Sequence, residues 1–222
     1  MPSQGGASPF GSLDDLDLPA LANDAGLPAH VRRAPPKKAA TALGIWYAAS
    51  AAGFWVSGQL GNAALALAHL KQQLVLTSEA LDVCLPALHT PTARVALGQQ
   101  LIDLAHSAID ISDGLLADLG HILSSSNLAA VIQLETIPHS WVWKRYAAHP
   151  QALEWLLSGG DDYELCFTAP ETERKKIHTL SKELATPLTC IGKILQGEGL
   201  SIVNSTGTVI EHTKKGYDHF LS

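Results

Sequence analysis

The sequence predicts a domain of the α+β class (mixed α/β), in which helices pack on a mixed sheet. Segments with helical spacing of apolar residues alternate with short β-branched segments from residue 54 onward. The last predicted strands, 201–203 and 208–211, follow one another and are joined through 204–207 as a hairpin. Because consecutive strands cannot all be linked by crossover helices, this order favours a mixed sheet over a strictly parallel one.

Two boundary signals place the first helices. Asn62 stands directly before an apolar helical face, and its amide side chain predicts a helix cap. A second helix is predicted to begin at Thr90, where a hydroxyl residue and an early proline suit a helix N-terminus. The elements predicted up to residue 123 are strand 54–57, helix 62–70, helix 90–104, strand 107–111 and helix 115–123.

The remaining elements follow from apolar runs bounded by turn residues. A helical pattern over 141–157 is interrupted near Pro150, since proline cannot continue a helix. The segment 171–184 is rich in charge but keeps a helical apolar spacing. The predicted strands between these helices and the final hairpin are 129–134, 163–168 and 188–194.

The composition is that of an ordinary globular chain. Of the 222 residues, 46% are hydrophobic and 16% are charged, and the net charge is −6. No Lys/Arg stripe could neutralise a run of phosphates, so a nucleic-acid partner is not expected. Residues 39–56 carry no charge, but Ala, Gly, Ser and Thr dominate them, so no membrane anchor is expected.

The three cysteines predict a reducing compartment. Cys84, Cys166 and Cys190 form no Cys-x-x-Cys pair and stand in apolar surroundings. An odd number of such residues is typical of buried reduced thiols. The sequence therefore predicts a cytoplasmic protein.

Two regions of the chain differ in character. Residues 1–53 begin with a Gly/Ser/Pro-rich stretch and contain the helix-breaking pair at 35–36. They are predicted to be a poorly ordered leader. Residues 54–222 are predicted to form the folded domain.

The first notable turn lies in the segment 108–115, Ala-Ile-Asp-Ile-Ser-Asp-Gly-Leu. Asp110 and Ser112 point the same way in extended geometry, and Asp113 follows the bend and can converge on the same cation. Ser112 adds a hydroxyl for a phosphate or a ribose. The helix that begins after the turn favours an anion at its N-terminus, which suits a phosphate or a metal–phosphate complex. In the competing interpretation, Asp113 only caps the helix and Asp110 only accepts backbone hydrogen bonds.

A second acidic turn lies in the segment 158–165, Ser-Gly-Gly-Asp-Asp-Tyr-Glu-Leu. Its two glycines permit a close approach of the backbone to a ligand or an unusual φ angle. Asp161, Asp162 and Glu164 enter an apolar strand, and three acids in four positions are awkward for packing alone. One of them is expected to face a cation or a positively charged substrate, although Glu164 fits an outward-facing strand position equally well.

Together the two turns suggest nucleotide chemistry that depends on divalent cations. Carboxylates that hold Mg²⁺ against a polyphosphate are a common reason to gather acids in turns. The sequence contains neither a P-loop motif nor the set of protein-kinase motifs. A phosphotransferase built on this sequence would therefore use carboxylate-held metals without a P-loop.

Five motifs in a fixed order resemble the C-terminal domain of the thiamine-monophosphate kinase family. They occupy residues 56–64, 91–98, 108–116, 158–167 and 216–220, the last being Gly-Tyr-Asp-His-Phe. That family belongs to the ATP-binding superfamily of aminoimidazole ribonucleotide synthetase and selenophosphate synthetase. The resemblance covers about residues 54–222 and implies the fold of that superfamily's C-terminal domain.

The resemblance also implies an activity and a set of site residues. The family transfers the γ-phosphoryl group of ATP to thiamine monophosphate, giving thiamine diphosphate, in line and with clustered Mg ions. By motif, Asp110 and Asp113 resemble the Mg ligands, and Ser112 resembles an ATP contact between them. Asp161 resembles the acidic substrate contact, and Tyr217 resembles the aromatic contact to the thiamine portion. ATP and thiamine monophosphate are thus the implied partners, with Mg as the cofactor.

The sequence departs from the family pattern in its first 53 residues. Family members carry an N-terminal domain with a Gly-Asp-Asp motif, which supplies further Mg ligands and builds a homodimer. No Gly-Asp-Asp precedes the matched region here. The expectation is therefore that this domain is not visible in the chain, as a frameshift or a misplaced start codon would produce. The alternative function is an inactive fragment that binds Mg-nucleotide or another protein.

Overall fold

A computed structural model describes residues 52–211, and these residues form one six-stranded sheet. The strand order is β2-β4-β1-β5-β3-β6, in which β3 and β6 are parallel and every other neighbouring pair is antiparallel. The predicted α+β class with a mixed sheet is therefore confirmed. The strands are β1 (Ala52–Ser57), β2 (Ser107–Asp110), β3 (Leu128–Gln133), β4 (Leu165–Pro170), β5 (Leu188–Gln196) and β6 (Gly199–Val203).

Seven α-helices accompany the sheet in the described part of the chain. Two short 3₁₀ turns, Leu134–Thr136 and Glu171–Glu173, follow β3 and β4. No helix within residues 52–211 has the length and apolar character needed to cross a membrane. The helices are α1 (Asn62–Leu70), α2 (Ser78–His89), α3 (Val95–Leu101), α4 (Leu115–Ser126), α5 (Trp141–Arg145), α6 (Ala152–Leu157) and α7 (Arg174–Glu183).

Both faces of the sheet are covered by helices. Along the central strand β1, Phe54 and Val56 point to one face and Trp55 to the other, because side chains alternate along a strand. The first face packs against α1, α2, α4, α5 and α6, and the second packs against α3 and α7. Every residue of β1 is buried, which explains why this strand reads as a continuous apolar run.

The predicted second helix is wrong at its start. Thr90 does not begin a helix but ends α2, and its hydroxyl donates back to the carbonyl of Pro86 at 3.3 Å. The sequence reading missed α2 altogether, although Thr77 caps it by accepting from the Ala80 N–H. The next helix, α3, begins only at Val95.

The end of the described chain also differs from its prediction. Asn204 and Thr208 close a turn through an N–H to carbonyl bond of 3.0 Å, as the predicted hairpin requires. Beyond the turn, however, a single bridge joins Val203 to Val209, and residues 208–211 do not form a regular strand. The remaining predicted elements from residue 107 to residue 196 lie within a few residues of the observed ones.

The three cysteines are buried and unpaired, as predicted. Burial raises the pKa of the Cys84 thiol to about 11 and that of the Cys166 thiol well above its ordinary value. Because the thiolate is the reactive form, these side chains behave as small apolar residues.

Asn62 does not cap α1 as expected. The cap position is Gly61, and the Asn62 side chain instead accepts a hydrogen bond of 2.6 Å from the Ser140 hydroxyl. The carboxylate that satisfies this helix end comes from far along the chain. Asp162 accepts from the Gly61 N–H at 2.8 Å, which ties the second acidic turn to the start of α1.

Burial makes Asp162 an unusual acid. Loss of solvent raises the pKa of this carboxyl to about 7, and the nearby charges of Glu164 and Asp161 act in the same direction. Hydrogen bonds from the Gly61 and Ala63 N–H groups oppose the shift but do not cancel it.

The Asp162→Asn substitution should therefore stabilise the protein increasingly as pH rises. The folded protein holds the Asp162 proton up to about pH 7, whereas the unfolded chain releases it near about pH 4. Between these values the folded state binds the extra proton, so its stability falls with pH through this group. From pH 5 to pH 8 the free energy of urea unfolding of the variant should rise by about 2 kcal/mol relative to the parent chain.

An exposed acid provides the control for this measurement. Asp103→Asn removes a carboxylate at an exposed position outside the core and serves as the matched comparison. If Asp162→Asn and Asp103→Asn gave the same pH profile, the raised pKa of Asp162 would be disproved.

Candidate functional site

The two acidic turns lie side by side, although they are about fifty residues apart in sequence. Strands β2 and β4 pair antiparallel, and their hydrogen bonding continues past the strand ends into both turns. Ile111 exchanges two bonds of 2.8 Å, donating to the carbonyl of Glu164 and accepting from the N–H of Tyr163. The Asp161 N–H donates to the Ser112 carbonyl at 2.9 Å. The backbone therefore brings the two sets of carboxylates to the same edge of the sheet.

Gly160 allows this close approach. A Cβ atom at this position would lie 2.3 Å from the carbonyl oxygen of Ser112, which is shorter than any tolerable contact. The expected role of the second turn's glycines in a close backbone approach holds here, but the approaching group is the first turn rather than a ligand. Any larger residue would separate the two turns.

The first turn is organised by an acid that the sequence reading missed. Asp118, in α4, uses one carboxylate oxygen to accept from the N–H groups of Ser112, Asp113 and Gly114 at 3.0, 3.1 and 3.1 Å. Burial is the main reason that its pKa is raised, while these backbone donors act to lower it. Its signal in the sequence was an acid amid the apolar face of α4, four residues after Gly114.

This arrangement corrects two expectations for the first turn. The N-cap position of α4 is Gly114 without a side-chain cap, so Asp113 does not cap the helix. The N–H groups expected to attract a phosphate already donate to Asp118. An anion would have to displace a buried carboxylate there, so direct binding of phosphate by these N–H groups is disfavoured.

The second turn alternates between inward and outward side chains. Asp162 and Glu164 are buried, whereas Asp161 is half-buried and Tyr163 is exposed. Asp161 and Tyr163 have positive φ angles of 65° and 51°, an uncommon conformation for residues with a side chain. For this reason β4 begins at Leu165 and not at residue 163 as predicted. Only one of the three acids, Asp161, is left at the surface of the turn.

Glu164 does face a cation, but that cation belongs to the protein. Arg94 binds it through two hydrogen bonds of 2.7 and 2.5 Å, and the Ser57 hydroxyl donates a third of 2.5 Å. These contacts raise the pKa of the Arg94 guanidinium. The interpretation of Glu164 as an outward-facing strand residue is therefore wrong. Sequence reasoning did not pair these residues, because 70 positions separate them.

Three polar residues of the first turn remain at the shared edge beside Asp161. Asp110 is exposed, and Ser112 and Asp113 are half-buried. The structure thus brings four of the five predicted site residues together. The fifth, Tyr217, lies outside the described residues.

The donor set at this edge fits a particular kind of Mg²⁺ site. Within residues 52–211, no three or more His, Cys, Asp or Glu side chains are grouped so that they could hold a metal ion. An all-protein cage is therefore not formed by this part of the chain. Mg²⁺ commonly uses one or two carboxylates and completes its octahedron with water and substrate phosphates. Asp110 and Asp113 are the two carboxylates of the first turn that are not buried, so they are the residues there that could supply such ligands.

Several curated proteins are similar in sequence to about three quarters of this chain. Thiamine-monophosphate kinase of Salmonella typhimurium is 42% identical over 170 residues, which are 76% of this chain and 52% of the relative. The chain thus spans about half the length of the curated relatives it matches.

Solved structures give the same result for the fold. The crystal structure of thiamine-monophosphate kinase from Stenotrophomonas maltophilia K279a has a TM-score of 0.64 and 40% identity, covering 72% of this chain and 51% of that one. A structure of AaThiL complexed with AMPPCP and TMP has a TM-score of 0.62 and 29% identity, covering 77% and 52%. Residues 55–204 match the family model described as AIR synthase related protein, C-terminal domain. The chain therefore belongs to the AIR synthase related protein family, whose C-terminal domain it contains.

Proposed function

We propose that this chain provides the C-terminal part of a thiamine-monophosphate kinase. The reaction would transfer the γ-phosphoryl group of ATP to thiamine monophosphate and give thiamine diphosphate. The observation that carries the proposal is the convergence of the two acidic turns through the Ile111–Glu164 and Ser112–Asp161 backbone bonds. The similarity to thiamine-monophosphate kinases, and to a structure complexed with AMPPCP and TMP, supports it independently.

In this proposal the first turn serves the ATP side of the reaction. Asp110 and Asp113 would hold Mg²⁺, and Ser112 would contact the nucleotide. Mg²⁺, when bound, would neutralise and orient the phosphate oxygens. Asp118 fixes the backbone of this turn by accepting from its three N–H groups, which would help to place the turn before the nucleotide arrives.

The second turn would serve the acceptor. Asp161 carries the only carboxylate of this turn that is not buried, and a thiazolium ring is a cation that such a group attracts. Tyr217 would add an aromatic face, which favours cations. The phosphoryl group would pass directly between the two substrates without a covalent protein intermediate, so most of the catalysis would come from positioning.

A second candidate function is binding of Mg-nucleotide without turnover. This function is favoured because only two metal ligands, Asp110 and Asp113, are proposed within residues 52–211. Two further statements also remain proposals. The cytoplasmic location is supported by the buried, unpaired cysteines, and the homodimer rests on the family resemblance alone.

A direct assay separates the two candidate functions. The full chain, incubated with Mg²⁺, ATP and thiamine monophosphate, should form ADP and thiamine diphosphate in equal amounts. We expect slow turnover, because only two proposed metal ligands lie in the described region. Binding of Mg-ATP without product would favour the second candidate. If neither substrate bound, both candidates would be rejected.

Asp110→Asn should weaken binding of Mg²⁺ with a non-hydrolysable ATP analogue. The amide lacks the negative charge that holds the cation, so the dissociation constant measured by calorimetry should rise about tenfold or more. Without Mg²⁺ the parent chain and the variant should behave alike. Asp103→Asn, at an exposed position outside the turns, is the matched control and should bind as the parent does. Equal affinities for all three proteins would remove Asp110 from the site.

A further inference from the structure

Arg94 has no role in the chemistry proposed above, yet it forms a two-bond ion pair with Glu164 of the second turn. Its guanidinium meets both oxygens of Glu164, in the bidentate geometry that suits an arginine–carboxylate pair. The side chain of Glu164 is buried, and that of Arg94 is largely so. Removal of one partner from such a pair leaves a buried charge without compensation.

The surroundings of Glu164 fix the position of its carboxylate. The Ser57 hydroxyl donates to Glu164 and accepts from the Leu165 N–H at 2.8 Å, which joins the end of β1 to the start of β4. Gly58 lies so close that a Cβ atom there would come within 1.8 Å of a Glu164 oxygen. Glu164 is therefore enclosed by β1 on one side and by the Arg94 guanidinium on the other.

The backbone of Glu164 transmits this position to the first turn. Its carbonyl accepts from the Ile111 N–H, one residue after Asp110 and two before Asp113. Tyr163 and Asp161 add their own bonds to the first turn from the same short segment. Displacement of Glu164 would consequently shift Asp161 and the first turn relative to each other.

We infer that Arg94 is a positioning residue that keeps the two acidic turns in register by anchoring Glu164. Its effect reaches Asp110 and Asp113 through the backbone and does not require contact with either substrate. The inference rests on the proposed function only in taking these carboxylates as the metal ligands. If Arg94 were only a general stabiliser, its removal would destabilise the whole domain and would not selectively weaken the hydrogen bonds that join the two turns.

Amide hydrogen exchange distinguishes these roles. In Arg94→Gln, exchange at the Ile111, Asp161 and Tyr163 amides should rise about tenfold or more beyond any rise in strand β3, because the turns open locally. Arg94→Lys keeps the charge but not the bidentate geometry and should give an intermediate increase. If Arg94→Gln does not fold, the same hydrogen-exchange comparison is made with Arg94→Lys.

A chemically matched substitution provides the control. Arg174 also forms a two-bond pair with a glutamate, Glu171, but it lies at the start of α7, with its guanidinium 5.4 Å from the centre of the Trp55 ring. Arg174→Gln should leave exchange at the three amides equal to that in the parent chain. If Arg94→Gln raised exchange there no more than in β3, Arg94 would be a general stabiliser and the inference would fail.

Binding of Mn²⁺ together with the non-hydrolysable ATP analogue, followed by electron paramagnetic resonance, then tests the consequence for the site. The parent chain should bind Mn²⁺, and Asp110→Asn should abolish this binding. Arg94→Gln should lower the affinity for Mn²⁺ about tenfold, and Arg94→Lys should lower it by a smaller factor. Loosened turns with unchanged Mn²⁺ affinity would overturn the positioning role. A parent chain without Asp110-dependent Mn²⁺ binding would instead refute the proposed metal site, while hydrogen exchange would still decide whether Arg94 holds the turns together.

Discussion

The candidate site depends on one constraint, the backbone pairing that continues from β2 and β4 into the two turns. Ile111 and Ser112 bind the backbone of residues 161–164 through three hydrogen bonds of 2.8 to 2.9 Å. Gly160 permits the contact because a side chain there would collide with Ser112. Carboxylates repel one another, so side-chain forces alone would separate these turns. The main chain holds them together before any cation is bound.

The acids of the two turns divide into structural and outward-facing groups. Asp118 accepts from the N–H groups of the first turn, Asp162 accepts at the start of α1, and Glu164 pairs with Arg94. Each of these buried carboxylates has donors that offset part of its desolvation. Asp110 and Asp161 stand at the shared edge with much greater access to solvent. Asp162 and Glu164 of the second turn, together with Asp118 of α4, therefore hold the backbone on which the more exposed acids are displayed.

The sequence predicts the local elements of the fold and site well, but it does not predict the contacts between residues that are far apart along the chain. The strand and helix after residue 107 follow from local apolar periodicity, and Asp110 and Asp161 stand out by their turn context. Thr90 is followed by proline, a pattern typical of a helix start, but in the structure Thr90 is the residue at which α2 ends. The pairing of Arg94 with Glu164 spans 70 residues, so no local pattern contains it. The capping of α1 by Asp162 was missed for the same reason, since 101 residues separate Asp162 from Gly61.

Buried hydrogen bonds that fix the two turns suit a reaction that proceeds without a covalent protein intermediate and depends on how its reactants are positioned. In-line phosphoryl transfer requires the donor and acceptor to be aligned, and misplacement by about 1 Å can cost about a hundredfold in rate. In the proposed reaction a metal that arrived with its nucleotide would not organise the site in advance, so the protein would have to place the carboxylates. The buried contacts of Asp118 and Glu164 would do this without touching either proposed substrate. The acidic turns are thus better understood as two prepositioned edges than as a preformed metal cage.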